Sequence, residues 1–376
     1  MSKKQIGLIV ALIVGVLGVI FVTRRLGENT DSITIGAVLP LTGDLASYGQ
    51  NAHDGIVLKA EQINAQGGID GKHLRVLFED TAGQPAQAVS ALKKLLTVDK
   101  AVAIIGEISS STTLAMAPVA NKNAIVLLSP AASAPEITDA GPYVYRIWPS
   151  DVFESSRMSE YVRSGLIRNI AILYVNNDYG KAMVKGFRYA LGTKASEIIL
   201  SEDNFDSNAT DVRTQLSRIR STKAEWIYLI SYPKDSAIIL RQMTELGLRT
   251  KILATSSFED PLVLAASAQT VEGAIFTSPV PPASSNAVVA GFKMAYKKKF
   301  GKDPGLVADY GYDALGVLVE AIRTGGPTRE GVATGIKKQP SIQGASGIIN
   351  FDKNGDVLKP ASMKTVRNGK YVWLQN

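Results

Sequence analysis

From Ile33 onward, short runs of β-branched and aliphatic residues alternate along the chain with apolar positions spaced three and four apart. Residues 33–39, 74–78, 102–105 and 125–128 read as buried strands, because their largely continuous apolar runs are too short for helices. Between them, Ile56, Ala60 and Ile63 mark one helical face, and Val89, Leu92 and Leu96 mark another. Alternating strands and helices predict a parallel sheet covered on both faces. Gly67, Gly68, Asp70 and Gly71 supply the turn between the first helix and the second strand. A second series follows Trp148, Pro149 and Ser150. Its strands are 170–175, 226–230 and 252–254, with helical faces at Val212, Leu216 and Ile219 and at Ile239, Met243 and Leu246. Two α/β units of similar pattern therefore stand in tandem.

The remainder reads differently. Residues 279–286 are rich in Pro and Ser and form a further crossover or loop, followed by helices near 288–300 and 312–324. Short strand-like pieces then occupy 347–351, 362–367 and 371–374, separated by the hairpin-type turns Asp352-Lys353-Asn354-Gly355 and Asn368-Gly369. One internal echo supports duplication. Tyr48-Gly49 with Gly55 recurs as Tyr179-Gly180 with Gly186, each time after the first strand of a half and at the start of a helix. Ligands of open α/β sheets bind at the carboxyl ends of strands, so both tyrosines are candidates for a cleft shared by two lobes. Simple helix-start packing is the alternative reading of each.

Composition narrows the chemistry. The chain has 376 residues, enough for two medium domains, with no Cys and only two His, His53 and His73. Disulfides, thiolate metal sites and a Cys nucleophile are excluded, and His-based catalysis has little to work with. The net charge of +7 suggests an anionic partner until its distribution is read. Lys3, Lys4, Arg24 and Arg25 are four of the 41 basic residues, which leaves 37 against 34 acids in the rest. Lys297, Lys298, Lys299 and Lys302 fit a solvated helix end, and without interleaved aromatics no nucleic-acid partner is expected.

Residues 6–22 are an unbroken run of 17 apolar and Gly residues behind Lys3 and Lys4. Such a run fits a signal-peptide core or a short membrane helix of about 25 Å. No A-x-A-like cleavage site lies between Val19 and Thr30, so an uncleaved N-terminal membrane anchor is the expectation, with a cleaved signal as the alternative. Both place the remainder outside the cytoplasmic membrane, in the periplasm or at the cell surface.

Two loops carry candidate binding chemistry. Gly106-Glu107-Ile108-Ser109-Ser110-Ser111-Thr112-Thr113 joins a strand to an apolar helix and gathers hydroxyls and free N–H groups at a helix start, which suits a carboxylate. An ordinary N-cap would need only one of those residues. Ser129-Pro130-Ala131-Ala132-Ser133 ends the next strand, where small residues let a ligand approach the backbone. No Walker A loop, G-x-S-x-G elbow or G-x-G-x-x-G fingerprint occurs, so no cofactor and no enzymatic activity is expected. Asp80, Asp178, Glu259 and Asp260 read as solvated loop acids.

The stretch Ile35-Gly36-Ala37-Val38-Leu39-Pro40-Leu41-Thr42-Gly43, Tyr48-Gly49, Gly67-Gly68-Ile69-Asp70-Gly71, Ser109 to Thr112, the Ser129 to Ser133 loop and Asp178-Tyr179-Gly180 stand in a shared order. In that order they resemble the leucine/isoleucine/valine-binding protein family, the type I periplasmic solute-binding proteins of ABC transporters. The resemblance covers about residues 33 to 370. It implies an α/β fold of two Rossmann-like lobes joined by crossover strands, closing like a clamshell on a small ligand. The lobes would be 32–149 plus 282–358, and 150–281 plus 359–376, after the N-terminal segment 1–31.

The resemblance also implies roles. Ser110, with Ser109 and nearby N–H groups, would hold the ligand carboxylate. The loop Ala131, Ala132 and Ser133 would meet the amino group through the Ala131 carbonyl and the Ser133 hydroxyl. Tyr48 would pack on the ligand from the first lobe, and Tyr179 and Tyr232 from the second. Relatives usually carry an acid after the strand 252–254, where this chain has Ser256, and Glu259 is the nearest candidate to replace it. The partners implied are a small amino acid or related carboxylate or amide, and an ABC permease. A sensory or regulatory binding protein of the same fold is the alternative.

Overall fold

A computed structural model describes residues 32–165, 167–279 and 287–374. The expected anchor segment and most of the expected 279–286 crossover lie outside the described residues. Among the described residues, no helix is long and apolar enough to cross a membrane.

The first sheet contains β1 (Ile33–Leu39), β2 (Leu74–Asp80), β3 (Ala103–Ile105), β4 (Leu127–Ser129) and β5 (Val144–Arg146), all parallel, in the order β2-β1-β3-β4-β5. β1 is buried almost throughout, which explains its unbroken apolar run. The chain winds to one side of β1 into β2 and to the other into β3. This makes the carboxyl end of β1 the topological switch point where a crevice opens.

The second sheet contains β6 (Ile170–Val175), β7 (Ile199–Phe205), β8 (Trp226–Ile230), β9 (Lys251–Ala254) and β10 (Ile275–Ser278). After the small β11 (Ile342–Gly344) and β12 (Gly347–Ile349) hairpin, β13 (Ser362–Arg367) and β14 (Lys370–Trp373) rejoin this sheet. Its order is β14-β13-β10-β9-β8-β6-β7, with β6 to β10 parallel and β13 and β14 antiparallel. The β13–β14 turn is Asn368-Gly369, both residues in the left-handed region, as a tight hairpin requires.

Four differences from the sequence reading have local causes. β5 escaped it because it is three residues long and ends in Arg146. β12 pairs backwards with β11, while Asp352 to Gly355 closes only the isolated bridge between Phe351 and Val357. β7 was not legible because, on the sheet edge, it alternates half-buried and exposed positions and is rich in polar residues. β10 buries Thr277 and Ser278, so it lacks a full apolar run.

The echoed glycines have a steric cause. A Cβ on Gly49 would stand 2.0 Å from the Pro40 carbonyl oxygen, and one on Gly180 1.9 Å from that of Val175. In each half, the helix following the first strand (Ala46–Ala65 and Asp178–Leu191) starts pressed against the end of that strand. The helix Ala308–Gly325 packs along Ala46–Ala65, so late sequence returns to the first half. One buried apolar cluster runs between the sheets, and Trp148 and Tyr310 meet within it at 4.6 Å between ring centroids.

Candidate functional site

Strand carboxyl ends from both sheets face one cleft. Its wall comprises Tyr48, Ile108, Ser110, Ala131, Ser133 and Trp148 on one side, and Glu154, Tyr179, Tyr232, Ser256, Ser257 and Val307 on the rest. The cleft holds about 420 Å³ of empty space, part of it open to solvent.

On the first sheet's side, Ser110 opens the helix Ser110–Lys122. Its Oγ accepts from the N–H groups of Ser133 (3.2 Å) and Ala134 (3.1 Å), which ties the two hydroxyl-rich loops together. With its lone pairs so occupied, the Ser110 hydroxyl proton is available to the cleft. Ser109, at the N-cap, makes no side-chain cap bond, so the ordinary capping reading of this cluster does not hold. The first-turn N–H groups have no intrahelical acceptor and favour an anion.

Behind the loop lies Glu107, fully buried, whose carboxylate accepts from Thr81 Oγ1 and from Ser109 N–H, both at 2.7 Å. Burial outweighs these bonds and pushes its carboxyl up to about 7. Arg146, also fully buried, forks onto Asp356 through Nε at 2.6 Å and Nη2 at 2.9 Å. Its Nη1 donates to the carbonyls of Ser133 (2.9 Å) and Ala134 (2.7 Å), fixing the second loop.

The second side is aromatic. Tyr179 and Tyr232 stack with centroids 5.4 Å apart, and the Tyr179 hydroxyl donates to Thr255 Oγ1 at 2.6 Å. Asn177 caps the Asp178–Leu191 helix through its Oδ1 and donates from Nδ2 to Tyr232 Oη at 3.2 Å, which holds the Tyr232 ring to that helix start. Ser256 Oγ donates to Glu154 Oε1 at 2.5 Å, and Thr277 Oγ1 donates to Glu154 Oε2 at 2.9 Å.

Seven of the residues singled out in the sequence therefore share this cleft: Tyr48, Ser110, Ala131, Ser133, Tyr179, Tyr232 and Ser256. Ser109 lines an adjoining groove instead, and Ala132 is fully buried with its N–H bound to Ser129 Oγ. Glu259 is absent from the cleft wall and pairs with Lys364 of β13. The acid on the wall is Glu154, from the helix Asp151–Ser164 that follows the crossover. Its sequence signal resembles an ordinary acidic first turn, and nothing marked it. Among the described residues, no cluster of His, Cys, Asp or Glu is placed to hold a metal ion.

Contacts cross the mouth of the cleft. Lys234 Nζ pairs with Asp44 at 2.5 Å, Ser47 Oγ donates to Asp260 Oδ2 at 2.7 Å, and Asp178 N–H donates to Ser111 Oγ at 3.2 Å. The two sides are therefore drawn together in this conformation.

Comparison with known proteins gives the same architecture. The sequence matches the periplasmic binding protein family over residues 32–370. A leucine-binding protein of Thermotoga maritima is 31% identical, with a TM-score of 0.84 over 91% of this chain and 98% of that one. A branched-chain amino acid transporter substrate-binding protein of Streptococcus pneumoniae, solved with isoleucine, is 27% identical, with a TM-score of 0.83 over the same shares, 91% and 98%. The amino acid binding protein of Pseudomonas aeruginosa is 26% identical over 366 residues, 95% of each chain.

Proposed function

The chain belongs to the periplasmic binding protein family, and from that premise we propose that it is the extracytoplasmic solute-binding component of an ABC-type importer, capturing a small amino acid. A branched-chain amino acid heads the class, in keeping with what the relatives from Thermotoga and Streptococcus are described as binding. In this reading 32–149 with 282–358 form one lobe and 150–281 with 359–376 the other, and ligand closes them for delivery to a membrane permease. Binding, and no turnover, is the function assigned.

The observation that carries the reading is the sorting of chemistry across the cleft. Ser110 and Ser133 offer hydroxyls from one lobe, while stacked Tyr179 and Tyr232 offer an aromatic wall from the other. An amino acid presents matching parts: a carboxylate for the donors and an apolar side chain for the rings. A thermal-shift screen of the purified protein against amino acids, aromatic acids and amides tests it, because a ligand of the folded state alone raises the melting temperature by mass action. The expected result is a rise with one or a few apolar amino acids. A rise confined to compounds lacking an amino group, or none at all, contradicts the reading.

A further inference from the structure

Among the described residues lining the cleft, Glu154 is the one Asp or Glu, and none is Lys, Arg or His. Its side of the cleft is consequently negative, and a ligand offering only a carboxylate would bring like charges into a water-poor site. Glu154 is 2% exposed, and its oxygens are met by Ser256 Oγ, Thr277 Oγ1 and, at 3.3 Å, the Ser256 N–H. All three are neutral donors. They suit an ionised carboxylate and leave its charge uncompensated.

The other nearby charges do not compensate it. Asp151, one turn earlier on the same helix, is a second buried acid, and the guanidinium of Arg146 is spent on Asp356. Glu259 is engaged by Lys364. Burial pushes the Glu154 carboxyl upward, against the pull of its Ser256 and Thr277 bonds. A cation supplied from the cleft would relieve that burden. An independent mark of an incomplete site is the Tyr48 hydroxyl, buried on the same wall with no partner among the described residues. Position agrees as well. The Asp151 N–H donates to the Ser133 carbonyl at 2.8 Å, so the helix start bearing Glu154 is fastened to the loop of Ala131 and Ser133.

We propose that Glu154 is the ammonium anchor of this site, held in place by Ser256 and Thr277, and that it restricts the cleft to amine-bearing ligands. The inference rests on the amino-acid reading above and narrows it to a substrate class. The acid that relatives place after the strand preceding Ser256 is thereby supplied from another element, and Ser256 becomes its support. Because the carboxylate donors belong to one lobe and Glu154 to the other, a zwitterion engages both. Its des-amino analogue keeps the carboxylate and the apolar side chain but leaves Glu154 without a cation.

Calorimetric titration of wild type and Glu154→Gln with two probe pairs decides the point: leucine with 4-methylpentanoate, and phenylalanine with 3-phenylpropanoate. In wild type the amino acid of at least one pair should bind, and its des-amino partner should not. Glu154→Gln, nearly isosteric, should weaken that amino acid about a hundredfold or more, the size expected on removing one partner of a buried charge pair. It should also improve binding of the des-amino acid. Unchanged amino-acid affinity in Glu154→Gln, or equal binding of both pair members by wild type, overturns the inference while leaving the amino-acid reading intact. Wild type that binds only des-amino acids, or none of the four, overturns both. Should Glu154→Gln fail to fold, Glu154→Asp keeps the charge but withdraws it by one methylene. It should then lose amino-acid affinity with no change in its response to des-amino acids, and equal affinity to wild type counts against the anchor.

Discussion

At the scale of single residues, the site depends on groups that are held so that one bonding direction stays free. Ser110 Oγ accepts two backbone N–H groups, which fixes the oxygen and leaves its proton available for a ligand. Ser110→Ala should weaken binding of a carboxylate ligand by about 1.5–3 kcal/mol, roughly tenfold or more, as expected for a hydrogen bond to a charged group. Titration calorimetry checks it. Unchanged affinity with a lowered melting temperature would reduce Ser110 to a brace between loops. The hydroxyl clusters were legible because two adjacent strand-end loops carry more small hydroxyl residues than helix capping needs. The acid was not. Glu154 reads as a first-turn helix acid, whereas Glu259 lay closer to Ser256 in sequence. Only the fold brings Glu154 to Ser256 across 102 positions and gives Glu259 to Lys364, 105 positions later.

At the scale of elements, the alternation of apolar runs and helical faces located β1 to β4, β6, β8 and β9, and left β5, β7 and β10 unread. Strand limits moved by a residue or two where the apolar run and the hydrogen-bonded ladder differ, as at β4, which begins at Leu127 although Ile125 and Val126 are equally buried. The Tyr-Gly echo is more informative than duplication alone suggests. The glycine lets each helix abut its strand, and the abutment sets the neighbouring tyrosine beside the cleft. Gly180→Ala should therefore destabilise the protein by about 1–3 kcal/mol, because its Cβ would meet the Val175 carbonyl and both elements must shift. Gly291→Ala is the control within a helix, where nothing stands within 4 Å. It should stabilise by about 1 kcal/mol through helix propensity. Denaturant unfolding of the two variants checks the pair, and equal effects would remove the steric explanation.

At the scale of the whole molecule, the composition without Cys and nearly without His pointed to binding, and the family comparison agrees with that class. What composition concealed is how many acids the fold buries. Desolvation pushes Glu107, Asp235 and Asp309 each up to about 7, far above carboxyls of an unfolded chain. Groups raised in this way hold protons in the folded state that the unfolded state has released. Their stabilising contribution is complete below the unfolded values and is lost as pH rises through about 7. Lys359, lowered to about 8 chiefly by burial, keeps its proton in both states on the acid side of that range. The melting temperature should therefore rise as pH is lowered from about 7 to about 5.5. Calorimetric scans at the two values check the sign, and a fall would mean that these acids are solvated. The claim on which everything else depends is that an amino acid draws the two lobes together. Gln84 and Asn208 both line the groove beside the cleft, one from each half of the chain, and the chain has no Cys, so spin labels on Gln84→Cys and Asn208→Cys report the gap alone. The interspin distance should be long and broadly distributed without ligand, then short and narrow with a bound amino acid. The same distance distribution with and without a saturating amino acid would contradict the account.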